Sequence, residues 1–178
     1  MKLKTLKYIT FSITFALTFI AHFAYEIIPN TITSIFFPVN ESIWEHMKML
    51  YTAILIGSLI EYIIIKKKNI KVNNILLTSY IKAIVSIPCF LIIYLPLYNI
   101  FGENMIFNIG IMIITLLIVE IISFYILKYR KIHFKNVFSL LLIIISYIGF
   151  SILTYSPPKN ELFYDKENQK YGTNIYEI

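Results

Sequence analysis

The stretch IWEHMKMLYTAILIGSLIEYIII, residues 43–65, decides the fold. Past Lys48 it carries one charged side chain, Glu61, and Lys66, Lys67 and Lys68 close it. A helix of about 20 apolar residues crosses a hydrocarbon core about 30 Å thick. In lipid, only a helix satisfies its own backbone groups along such a run. Four further runs of this kind occupy residues 6–28, 74–98, 105–127 and 137–155. The expected fold is all-α: a polytopic transmembrane helix bundle of about five spans, residues 1–155, followed by a short tail, 156–178.

Composition agrees. The chain has 178 residues, 58% hydrophobic and 15% charged, where a soluble domain is about half apolar and about a quarter charged. The single cysteine, Cys89, lies in an apolar run, which leaves no disulfide within the chain and no thiol-rich metal site. Net charge is +6. The basic residues flank the apolar runs, so the excess reads as topology and not as nucleic-acid binding. The first run is too long for a signal peptide, and Glu26 stands where small residues would mark a cleavage site.

Lys2, Lys4 and Lys7 precede the first run. Lys66, Lys67, Lys68 and Lys71 follow the second, and Lys128, Arg130, Lys131 and Lys135 follow the fourth. Connections 29–42 and 99–104 contain no Lys or Arg. Basic loops stay inside, so the expected N-terminus is cytoplasmic and the tail extracytoplasmic, in a bacterial cytoplasmic membrane. The basic loops, His133 among them, are expected to meet anionic lipid headgroups. Pro88 and Pro96 are expected to kink the third span.

Polar residues at the outer ends of the first two spans are the candidates for chemistry. NESIWEHMK, residues 40–48, opens the second span. Asn40 or Ser42 suits an N-cap, Ser42 with Glu45 makes a capping-box pattern, and Trp44 suits the membrane interface. Helical spacing would put Glu41, Glu45, Lys48 and Thr52 on one face. The first span carries Thr14, Thr18, His22 and Glu26 at intervals of four. Carboxylates and imidazoles from two antiparallel helices can hold a divalent metal. The expected ligands are His22, Glu26, Glu45 and His46, with Glu41 or Glu45 as the catalytic carboxylate. The competing expectation is purely structural: a His22–Glu26 hydrogen bond and a Glu45–Lys48 ion pair. Nearer the cytoplasm, Lys82 is expected to join Glu61 and Glu120 in an intramembrane ion network, either as a structural staple or as part of a proton path.

The strings HFAYE (22–26), VNESIWEHMKML (39–50) and TYSPPKNELFYD (154–165), with Tyr171-Gly172, resemble a family of small bacterial integral membrane proteins, domain of unknown function family 6512. The resemblance would cover nearly the whole chain, and it implies no activity. The chain contains no Gly-rich phosphate loop, G-x-S-x-G elbow or H-E-x-x-H string. Three functions stay open. One is a binding or transport-like protein with an outward polar pocket between spans one and two. Another is a metal-assisted hydrolase of a lipid-like substrate, and the third is an accessory subunit of a membrane complex.

Overall fold

A computed structural model describes residues 1–102, 104–133 and 135–173. Six helices appear among the described residues: α1 Leu3–Ile27, α2 Thr31–Phe36, α3 Ile43–Lys67, α4 Ile75–Phe101, α5 Met105–Lys128 and α6 Lys135–Tyr155. All but α2 are long and apolar enough to cross a membrane, so the chain is a multi-pass membrane protein of five candidate spans. α3 is the most buried and packs against α1 and α4; α5 packs on α1 and α4, and α6 on α4. The central core joins Leu50, Tyr51 and Ile54 of α3 to Ala83 and Phe90 of α4, Met112 and Leu116 of α5, and Phe150 of α6. At the α1–α3 crossing, a Cβ on Gly57 would run into Thr14 Oγ1, so the absent side chain permits the close approach. α4 continues through Pro88 and Pro96. Each proline leaves the carbonyl one turn earlier without its helical donor.

Two elements lie outside the expected spans. α2 forms because Asn30 accepts from the backbone N–H groups of Ile32 and Thr33, while the Thr33 hydroxyl accepts from Asn30 N. The tail folds back as a small antiparallel hairpin, β1 Tyr164–Asp165 and β2 Lys170–Tyr171. Asp165 is buried inside its turn and accepts from Glu167 N at 2.9 Å, Asn168 N at 3.0 Å and Asn168 Nδ2 at 2.8 Å. Gly172 has φ +55°, and a Cβ there would strike the Thr154 carbonyl, so the chain after the hairpin needs glycine. Tail residues 174–178 lie outside the described residues.

The two ends of the bundle differ in chemistry. At one end Lys7 of α1, Glu61 of α3, Lys82 of α4 and Glu120 of α5 form a closed ring. Lys82 Nζ lies 2.5 Å from Glu120 and 3.3 Å from Glu61. Lys7 Nζ lies 3.2 Å from Glu120 and also pairs with Glu61 and Ser123. All four side chains are buried. The expected network held Lys82 with the two acids and did not include Lys7. Lys7, read in the sequence as a basic flank, turns inward and makes the cluster neutral. Its position at the start of α1 puts it one long side chain away from both carboxylates.

Candidate metal centre

The opposite end is organised by residues 39–48, nearly all of which are tied down. Ser42 caps α3, accepting from Glu45 N at 3.3 Å. The other half of the capping box does not form, because Glu45 turns back to the Val39 N–H at 3.1 Å. Asn40 accepts from Ser42 N and donates to the Gly172 carbonyl at 3.0 Å. Trp44 N donates to the Leu162 carbonyl, and its ring packs against Phe150 and Phe163. The Glu41 N–H donates to Asp165 at 3.2 Å, so the hairpin fixes the backbone from which the Glu41 side chain projects.

Glu45, Lys48 and Thr52 do share one helical face. Lys48 Nζ lies 2.5 Å from Glu45 and donates to the Ser34 carbonyl and the Thr154 hydroxyl, which in turn donates to Glu45 at 2.7 Å. Thr52 donates to the Phe36 carbonyl. This face therefore meets α2 and the end of α6, and not α1. The expectation that Glu45 shares a metal site with His22 is not met: its oxygens are taken up by Val39, Lys48 and Thr154. Glu41 leaves that face because α3 begins only at Ile43, so helical spacing does not apply to it.

His46, one residue past Glu45 and about 100° further round the helix, points to α1. His46 Nε2 lies 3.3 Å from His22 Nε2, and Glu41 Oε2 lies 3.4 Å from each of these nitrogens. The three donor atoms form a nearly equilateral triangle of half-buried groups, and they are the group of metal-ligating side chains that converges among the described residues. Glu26, expected as a ligand, is exposed one turn beyond His22 and outside this group. Zinc–ligand bonds of about 2.0–2.1 Å in a tetrahedron separate ligand atoms by about 3.3 Å. The triangle therefore fits a metal bound by three protein atoms with its fourth position open.

The contact behind His46 agrees, whereas His22 Nδ1 has no partner among the described residues. His46 Nδ1 lies 2.9 Å from the Ser42 carbonyl, which can only accept. Nδ1 must carry the proton, which leaves the Nε2 lone pair toward the site, as in metal-bound histidines held by an outer hydrogen bond. The hydrogen bond with His22 holds the Glu41 carboxyl below its ordinary value of 4.5, against the opposing effect of burial, and His46 adds to the lowering. The same Glu41–His22 contact favours the protonated His22 imidazole, so a cation bound here displaces the His22 proton.

The open side of the triangle faces a cavity of about 490 Å³ between α1, α3, α4, α5 and the hairpin. His22, Glu41, His46, Glu161 and Glu167 form its polar end, and Leu50, Phe90 and Met112 its apolar end. Lys166 bonds to the Tyr98 hydroxyl and sits 4.7 Å from that ring's centroid. Sequence reading missed Asp165, Thr154 and Lys7 as contributors. The first two lie in the quoted tail string 154–165, whose position beside residues 39–48 only the folded chain reveals.

No curated protein and no solved structure matches the chain. A match over residues 1–173 nevertheless covers all of the described bundle and hairpin, and by it the chain belongs to the family of unknown function DUF6512.

Proposed function

We propose that this protein is a metal-dependent membrane hydrolase with its active site at the outer face of the bacterial cytoplasmic membrane. The observation that carries the proposal is the triangle of His22, His46 and Glu41 donor atoms, 3.3–3.4 Å on each edge and open to a cavity. Structural zinc sites are closed by four protein ligands, whereas catalytic ones keep a position for water or substrate. Two imidazoles and a carboxylate are a donor set of catalytic zinc sites. The outer placement rests on the basic connections at the opposite end of the bundle, which also favour anionic lipid headgroups on the cytoplasmic side.

A bound divalent ion lowers the pKa of its water to about 7 and polarises a carbonyl or phosphoryl oxygen. Glu161 and Glu167, which line the same cavity, are suited to take the proton that the water gives up. Held by His22, His46 and Glu41, the ion would supply an activated water to the carbonyl carbon or phosphorus, and Glu161 or Glu167 would return the proton to the leaving oxygen as the ester bond breaks. Binding without turnover is the second reading, favoured by the largely apolar enclosure.

The test is zinc stoichiometry of the purified protein after dialysis against zinc, followed by ester turnover. Near-equimolar zinc, lost in His22→Gln and His46→Gln, supports the metal centre. Absence of retained zinc, or equal retention in those variants, overturns it. Stoichiometric zinc without turnover of any ester leaves the binding reading.

A further inference from the structure

Resting on the metal-centre reading, we infer that the substrate is a single-chain amphiphile with an anionic oxygen head. It enters sideways from the bilayer between α1 and α5. Phe19 and Phe23 of α1 and Met105 of α5 line the cavity, yet are 39%, 50% and 73% exposed. A side chain that lines a cavity and is also open on the flank of a membrane-spanning helix marks a side opening. α1 and α5 are tied together at the other end by Lys7, Glu120 and Ser123. At this end the cavity lies between them. Set between two membrane-spanning helices, such an opening would face lipid, with His22, His46 and Glu41 toward the headgroup level.

The interior points to one chain. Its volume of about 490 Å³ lies within the range of about 300–1,000 Å³ typical of pockets that enclose one small ligand. Phe90, at 8% exposure, and Met112, at 7%, form the deep wall and belong to the central core. They give a chain apolar surface to bury. The head is set by charge. Glu41, Glu161 and Glu167 line the cavity with Lys166. Three carboxylates and one ammonium leave an excess of negative charge, which a divalent ion on the triangle cancels. A metal with an open position takes an anionic oxygen donor that also carries the bond to be hydrolysed, such as a phosphate monoester.

The test places the protein in lipid nanodiscs with Phe90→Trp as a deep reporter, or Met112→Trp if the first variant folds poorly. Native Trp44 lies outside the cavity lining and serves as the internal reference. Probes are a chain-brominated alkyl phosphate, the matching brominated alcohol, a chain-brominated two-chain phosphatidic acid and inorganic phosphate as competitor. Zinc binding is measured separately on the same samples. The expected result is saturable quenching of the introduced tryptophan by the alkyl phosphate, at a mole fraction about tenfold below that needed by the alcohol or the two-chain lipid. Zinc removal should erase the advantage over the alcohol, and inorganic phosphate should compete only weakly. With zinc bound, equal quenching by the two-chain lipid, or quenching that never saturates, overturns the single-chain assignment and leaves the metal centre standing. Saturable quenching by phosphate and alcohol alike overturns the head assignment. Failure to bind zinc overturns the metal-centre reading itself, and with it the proposed head.

Discussion

His22 on α1 and His46 on α3 bring their Nε2 atoms to 3.3 Å, although 24 residues separate them in the chain. Two imidazole lone pairs this close, with a carboxylate 3.4 Å from both, repel one another least when a cation lies between them. Losing an outer-shell partner costs a metal site about 10–100-fold in affinity. His22→Gln and His46→Gln remove ligands themselves, so each should weaken zinc binding by more than that range. Cobalt loading offers an independent check: the parent should show an intense visible spectrum of a tetrahedral site, and either variant should not.

Glu41 and Glu45 separate two roles that the sequence places side by side. Glu41→Gln should lose zinc and leave folding nearly intact, because its carboxylate is half-buried and its ion pairs are with the two histidines. Glu45→Gln leaves Lys48 charged at 0% exposure without its counter-ion. Breaking a buried pair costs about 3–5 kcal/mol. Glu45→Gln should therefore fall sharply in thermal stability, while the fraction that folds binds zinc like the parent. Zinc loss in a well-folded Glu45→Gln protein would return Glu45 to the metal site.

Docking of the hairpin should depend on acid. Burial opposes ionisation of Asp165, but hydrogen bonds from Asn168, Glu41 and Glu167 outweigh it and hold the carboxyl below its ordinary value of 3.8. A carboxyl depressed in the folded state stabilises that state above its unfolded pKa, and the contribution is lost as pH falls through the folded value. Hydrogen exchange across residues 164–171 should thus stay slow down to about the unfolded carboxyl value and quicken only below it. Asp165→Asn should exchange faster at neutral pH and lose that acid step. Because Asp165 holds the Glu41 backbone, the same variant should also bind zinc more weakly.

The Lys7–Glu61–Lys82–Glu120 ring should behave as one unit. Lys82→Met leaves two carboxylates against Lys7 alone, and Lys7→Met leaves them against Lys82 alone. Either change should cost about 3–5 kcal/mol. The pair Lys82→Met with Glu120→Gln restores neutrality and should recover part of the loss. A double-mutant cycle read by thermal unfolding measures the coupling. Additive losses would mean that the four residues act independently.

The sequence by itself determined the spans, and the reason is local. A run of apolar residues long enough for the hydrocarbon core has one acceptable backbone conformation there, whatever its neighbours do. It also marked residues 22–26 and 39–50 as chemically unusual, and it paired Lys82 with Glu61 and Glu120 from their similar depth. Which of the marked residues meet was decided only in the tertiary structure. Glu45 and His46 are adjacent in sequence, yet about 100° of helical rotation sends one to Lys48 and Thr154 and the other to His22. Glu41 precedes the first turn of α3, so helical periodicity carried no information about it; the Asp165 hydrogen bond from a distant hairpin aims it. Lys7 looked like a flank because its charge fits the basic end of α1, and its inward turn depends on two carboxylates from other helices. Contacts between side chains far apart in the chain follow from helix packing and rotation, which apolar periodicity in nearly uniform spans leaves open.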